Sequence, residues 1–280
     1  MEIIWRMPIQ PRTPKAPRAI EKPGASKANR SLERGVEVIR AFRPGASVLG
    51  NGDIAERTGL PRSTVTRLTQ TLVGCGLLQP EPGSRAYRLA PALLSFAHAM
   101  RSGSAMLALA APCMRAISER HKVNVGLAAP DGDEMVYLES IRYNRRPSHR
   151  NVVSGQRVPM ELTSLGRAYL AVAPPPQRQR LFSHFKTTRK GQWASLSSEL
   201  EKARASVLSQ GHCHASWQPE VLAMACPIVH GGSIYAINVS VSSPAPLESL
   251  IAELTPVLAS LKQAILQALA AAALAEHDGA

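Results

Sequence analysis

The stretch from Asn51 to Leu78 restricts the possible folds more than any other part of the chain. Asn51 to Thr58 reads as a short helix with Ile54 and Ala55 turned inward. Gly59 stops it, because a left-handed backbone costs glycine little. Pro61 suits the first turn of the next helix, where its missing N–H would have had no partner. That helix runs to about Cys75, with Val65, Leu68 and Leu72 on one face. Upstream, Ser31 is a good N-cap for a helix marked by Leu32, Val36, Ile39 and Phe42 and ended by Pro44-Gly45. Downstream, Leu77-Leu78 and Tyr87-Arg88-Leu89 predict two short strands, with turn formers from Pro80 to Arg85 between them. Three helices and a hairpin, in that order, make a winged helix-turn-helix over residues 29–90.

The outward side of the 61–75 helix carries the chemistry. With Val65, Leu68 and Leu72 buried, Arg62, Ser63, Thr64, Thr66, Arg67 and Gln70 remain for a partner, and no Asp or Glu lies between Pro61 and Leu78. A helix pressed between phosphates cannot carry carboxylates. It needs guanidinium groups for guanine edges and phosphates, and short hydroxyls where the backbone comes close. The hairpin adds Ser84, Arg85 and Arg88 as wing contacts. The partner these residues predict is a double-stranded DNA operator. A formal charge of +13 agrees with a polyanionic partner, although charge alone also fits plain solubility or an anionic membrane surface.

The 280 residues are 45% hydrophobic, enough to build a core in two modest domains or one large one. Cys75, Cys113, Cys213 and Cys226 form no CxxC pair, which suits a reducing cytosol. No apolar run approaches the ~20 residues of a membrane span and no secretory signal is evident, so a cytoplasmic protein without membrane contact is expected. Residues 1–28 interleave prolines with Arg12, Lys15, Arg18, Lys22 and Lys27. They read as a disordered basic tail, either an unspecific phosphate contact or a solvated extension.

Beyond the hairpin, residues 91–104 form a linker, with a helix carrying Leu93, Leu94, Phe96, Ala97 and Met100 and a break at Ser102-Gly103-Ser104. Residues 105–275 make a second domain. It begins with an amphipathic helix from Ala105 to His121. Val123–Ala129 and Met135–Ile141 read as strands joined by a hairpin at Asp131-Gly132. Ser164–Val172 and Ser197–Gln210 read as helices, Cys226–Val229 and Ile234–Val241 as strands, and Leu247–Glu276 as a helix that Pro256 kinks or restarts. The strands and helices are mixed without regular βαβ order, so the fold class is α+β with an antiparallel or mixed sheet.

Asp53 to Leu68, read as a block, resembles the DNA-binding segment of the IclR family of bacterial transcriptional regulators. The resemblance continues through Tyr87-Arg88-Leu89, Gly155 to Met160, Thr163 to Ala168, Ala225-Cys226-Pro227-Ile228 and Val239 to Pro244, covering residues 31 to 270. It implies a winged helix, a linker helix and a GAF-like effector domain, assembled as a homodimer or homotetramer. It also implies a small-molecule effector, an organic acid or aromatic catabolite bound as its carboxylate. Carried over by position, Val158, Ser164 and Leu165 would form one wall of the effector site, and Val221, Ala223, Ser240 and Ser242 the other. Ser240 and Ser242 alternate with Val239 and Val241, so both hydroxyls share one face of a strand, where they meet either a ligand or their own sheet and water. The amides opening the 164–172 helix could hold a carboxylate. The chain departs from the family pattern at Glu220, Ala223 and Ser243, where glycine, cysteine and glycine are common, and Trp217 adds an aromatic surface nearby.

Other constellations predict no catalytic residue, metal or cofactor. His212-Cys213-His214 supplies too few ligands for zinc without a further cluster, and Asp131, Asp133 and Glu134 lack calcium-loop spacing. Cys226 near His230 has no glycine-framed nucleophile turn. Arg142, Arg145, Arg146, His149, Arg150 and Arg157 read as a solvated basic loop. Two rival classes remain: a metabolite-binding enzyme with a helical appendage, which would turn over a small acid, and an architectural DNA protein, which would bind without sequence preference.

Overall fold

The computed structural model describes residues 29–143, 153–218 and 221–278. The basic tail 1–28, the arginines at 145, 146 and 150, His149, residues 219–220 and the side chain of Trp217 lie outside that description. The chain divides into two compact units, Met1–Leu93 and Leu94–Ala280.

In the first unit, α1 (Arg30–Arg40) is capped by Asn29 and not by Ser31. Asn29 Oδ1 accepts from the N–H groups of Ser31 and Leu32 at 3.1 and 3.3 Å. Ser31 is already the second residue inside the helix, and the asparagine two residues earlier takes the capping position. Val38, Ala41 and Phe42 are buried, whereas Leu32 stays 68% exposed, so the apolar spacing read from Leu32 and Val36 marks a face this unit does not cover. A two-residue strand, β1 (Leu49–Gly50), leads into α2 (Asn51–Thr58). Asp53 Oδ2 accepts from the Gly50 N–H at 2.8 Å, and Gly59 ends α2 at φ 69°. Pro61 is the N-cap of α3 (Arg62–Gly74), one position earlier than its expected place inside the first turn. β2 (Leu78–Pro80) and β3 (Ala86–Leu89) form the hairpin, and β1 adds to it in the order β1-β3-β2. Val38, Leu49, Ile54, Val65, Leu72 and Leu78 make one core.

α4 (Ala92–Ser102) leads into the second unit, and after Gly103, α5 (Ala105–His121) begins, capped by Ser104 Oγ. Among the described residues, six antiparallel strands follow in the spatial order β6-β5-β4-β9-β8-β7. They are β4 (Asn124–Asp131), β5 (Glu134–Ile141), β6 (Arg157–Pro159), β7 (Cys213–Gln218), β8 (Val221–His230) and β9 (Ser233–Ser242). Gly132, at φ 66°, turns β4 into β5. Period-two alternation splits the sheet between two cores. Val125, Leu127, Leu222, Met224, Cys226, Ile237 and Val239 pack against α5 and α9 (Leu247–Asp278). Ala128, Ala225 and Ala236 face α6 (Ser164–Val172), α7 (Pro175–Thr188) and α8 (Trp193–Gln210) on the other side.

Two expectations need correction. By length and composition α9 could cross a membrane; Glu253, Pro256 and Lys262 break the apolar run in the sequence and hid this. Its stripe of Leu250, Leu254, Leu258, Leu261, Ile265 and Leu269 is instead buried in the core. Arg157 belongs to no solvated loop. It sits on β6, and its guanidinium joins Asp131 to Glu134 Oε2, the latter at 2.6 Å, across the β4–β5 turn.

Candidate DNA-reading surface and effector wall

On α3, Val65 and Thr69 are fully buried and Leu72 nearly so. At 100° per residue, Ser63, Arg67 and Gln70 fall opposite that face, and all three are exposed. Arg62, also exposed, flanks them on the Thr66 side, and the half-buried Thr64 lies at the other margin. Its first turn has no acidic residue. Thr66 is less free than its position suggests. Its hydroxyl donates to Arg62 O at 3.0 Å and accepts from Asn51 Nδ2 at 3.3 Å, leaving mainly its methyl group for a partner. Thr69 was not anticipated, because a buried threonine in a helix gives no periodic signal. It donates to Asn51 Oδ1 at 3.1 Å.

At the hairpin tip, the Glu81 N–H donates to Ala86 O at 2.9 Å and the Ser84 N–H to Glu81 O at 3.2 Å. That turn leaves Ser84 and Arg85 exposed. Arg88, by contrast, pairs with Glu81 at 3.2 Å.

In the second unit, register places the residues of the expected effector wall side by side. Ala223 opposes Ser240 and Val221 opposes Ser242, so all four share the sheet face that carries α6. Asn124 continues the Ala223–Ser240 row on β4, and Ala215 closes it on β7. The neighbouring row holds Gly126, Asn238, Ala225 and Cys213. Thr163 caps α6, its Oγ1 accepting from the Gly166 N–H at 3.3 Å and donating to Pro159 O at 2.8 Å. The first-turn amides of Ser164 and Leu165 have no intrahelical acceptor. Ser164 is 1% exposed and its Oγ meets no partner; Asn124 Oδ1 is likewise buried without one. Val158 and Leu165 are buried in the α6-side core, whereas Ser242 is exposed.

Asn124, Gly126, Tyr137 and Asn238 escaped the sequence reading. A glycine inside a strand was the available signal, since it marks close approach. A Cβ on Gly126 would lie 2.5 Å from both Asn238 Oδ1 and the Tyr137 ring. The Tyr137 hydroxyl is hydrogen-bonded to Asn238, and burial pushes its pKa up to about 12.

The remaining candidates separate. Cys213 is buried on the α6 side, and alternation turns His212 and His214 away from it, so the three cannot converge. Among the described residues, no group of three or more His, Cys, Asp or Glu could hold a metal. Cys213 and Cys226 are each pushed up to about 12 by burial, against any role as a thiolate nucleophile.

Comparison with known proteins gives two family matches. The IclR helix-turn-helix domain matches residues 31–82, and the bacterial transcriptional regulator IclR C-terminal domain matches residues 98–267. The HTH-type transcriptional regulator TsaQ1/TsaQ2 of Comamonas testosteroni is 28% identical over 260 residues, 90% of this chain and 92% of that protein. The crystal structure of an IclR family transcriptional regulator from Brucella abortus aligns with TM-score 0.78 at 32% identity, over 88% of this chain and 95% of that one. An IclR homologue from Microbacterium hydrocarbonoxydans, complexed with 4-hydroxybenzoate, shares the fold with TM-score 0.60 at 23% identity, over 85% of this chain and 99% of that one.

Proposed function

Because the chain belongs to the IclR family of bacterial transcriptional regulators, we propose that it reads an operator with the Arg62, Ser63, Thr64, Thr66, Arg67 and Gln70 face of α3 and releases or remodels it when an organic acid binds at α6. It is a DNA-binding regulator with an effector domain and not an enzyme. Its DNA lies in the cytoplasm, which is where it acts. One observation carries the DNA assignment: α3 presents an exposed, acid-free face of guanidinium, hydroxyl and amide groups. Ser84 and Arg85 at the hairpin tip add phosphate or minor-groove contacts.

The effector is a small carboxylate, aliphatic or aromatic. Its anionic end is held by the Ser164 and Leu165 amides and by Ser164 Oγ, a buried hydroxyl that otherwise meets nothing. Val158 and Leu165 close one side, and Val221, Ala223, Ser240 and Ser242 the other. Ala223 and Ala215 leave the sheet surface shallow, which suits a flat ring. The protein works as a homodimer or homotetramer, since operators of two half-sites about one helical turn apart need two reading heads. Exposed Leu94 and Phe96 on α4, 74% and 61% accessible, support self-association.

Selection of bound sequences from a random DNA pool tests the first half. Recovery of a consensus with two half-sites is expected, and binding without sequence preference would refute it. Calorimetric titration with benzoate, 4-hydroxybenzoate and short aliphatic acids tests the second. Loss of binding in Ser164→Ala is the expected signature.

A further inference from the structure

β4 and β5 keep antiparallel register on both sides of one irregularity. Leu127 opposes Glu139, yet the next residue, Ala128, opposes Tyr137. Leu138 is therefore an extra residue on β5, a β-bulge, and a bulged residue has no place in the ladder. Arg101, in the last turn of α4, fills it. Its Nη1 donates to Leu138 O and its Nη2 to Glu139 Oε2 at 2.7 Å. The same carboxylate is held through Oε1 by the Ser140 N–H at 3.0 Å and by Ser154 Oγ at 3.1 Å. On the far side of the bulge, Tyr137 is fixed by backbone bonds to Gln156 and Gly155, at 2.9 and 2.7 Å, and its side chain lies with Asn238 over Gly126.

The geometry points to Arg101 as the positioning residue that couples the effector wall to α4. Its fork grips both the bulged carbonyl and the carboxylate beside it, so a shift of Tyr137 on the α6 face moves the anchor at the end of α4. A guanidinium can hold two acceptors at fixed angles, and an ammonium cannot. The coupling rests on the reading that the effector binds on the α6 face; the anchor itself does not.

Hydrogen exchange on the full chain, read by mass spectrometry, tests both parts. Arg101→Ala should raise exchange at the C-terminal end of α4 at least tenfold, with Arg101→Lys intermediate and α1 to α3 unchanged. Tyr137→Phe removes only a hydroxyl; it should raise exchange at that same end at least threefold. Unchanged α4 exchange in Arg101→Ala and in Arg101→Lys would overturn the anchor. Should Arg101→Ala fail to fold, Arg101→Lys and Glu139→Gln decide alone. Exchange altered around β5 and β9 but not in α4 for Tyr137→Phe would overturn the coupling. Titration with 4-hydroxybenzoate is the separate check on the effector wall: absence of binding counts against that acid there and leaves the exchange result on Arg101 standing.

Discussion

Thr69 donates its hydroxyl to Asn51 Oδ1 at 3.1 Å, while the other end of the same amide donates to Thr66 at 3.3 Å. One residue at the start of α2 thus sets the rotation of α3, and with it the direction in which Arg67 and Gln70 point. Asn51→Ala should cost about 0.5–1.5 kcal/mol, the worth of the bonds it shares with Thr66 and Thr69, since the Thr69 hydroxyl can turn back to the Val65 and Thr66 carbonyls at 3.1 and 3.0 Å. Urea unfolding of the variant, of Thr69→Val and of the double mutant would measure the coupling. Additive losses would show that the two side chains act independently.

The outward face of α3 gives the second expectation. Arg62→Ala and Arg67→Ala should each weaken specific operator binding by about 1–3 kcal/mol and relax the preference at one base position. Arg88→Ala should do much less, because Arg88 already pairs with Glu81 at 3.2 Å. Quantitative footprinting on the selected operator ranks the three. A larger loss from Arg88 than from Arg67 would relocate the reading surface to the wing.

The helix-turn-helix was legible because its signals are local. Gly59 needs a left-handed backbone and Pro61 a helix start, and each announces its own position. α7 escaped because Pro174, Pro175 and Pro176 look like a breaker, although proline at the first helical position costs nothing. The Leu138 bulge and the Asn124–Ser240 row were not legible, since cross-strand register is decided between segments distant in sequence. The family pattern named Ser240 and Ser242, but not Asn124 and Tyr137, which only the pairing of β4 with β5 and β9 brings to the same sheet face.

Gly166 should tolerate no side chain. A Cβ there would lie 1.9 Å from Met160 O, a backbone atom that cannot rotate away. Gly166→Ala should cost about 3 kcal/mol or more, or prevent folding of the second unit. Gly74→Ala, where a Cβ meets nothing within 4 Å, is the control and should unfold near the wild-type midpoint. Equal midpoints for the two variants would show that α6 can move off the Met160 loop.

The cysteines should react in order of exposure. Cys75 is exposed at the end of α3, and Cys113 is half-buried. Cys213 and Cys226, buried and pushed up to about 12, should stay protonated at pH 8 and resist a thiol reagent until the protein unfolds. Mass mapping after brief alkylation should find Cys75 labelled first. Fast labelling of Cys213 would mean that the α6 face opens on its own.

Acid should release the α4 anchor through Glu139. Burial raises the pKa of this carboxyl, but the Arg101 guanidinium, the Ser140 N–H and the Ser154 hydroxyl together outweigh it and hold it below the ordinary carboxylate range. A carboxylate depressed in the folded state adds stability that is fully present above its unfolded pKa, about 4.3, and is lost as pH falls through the folded value. The anchor should therefore be indifferent to pH between about 6 and 8, and weaken only in stronger acid. Exchange at the end of α4, followed down a pH series and corrected for intrinsic rates, should rise in that acid range for wild type. Glu139→Gln has no such proton to gain, so its corrected exchange should start higher and stay flat. A parallel acid rise in both proteins would place the titrating group elsewhere and detach Glu139 from the anchor.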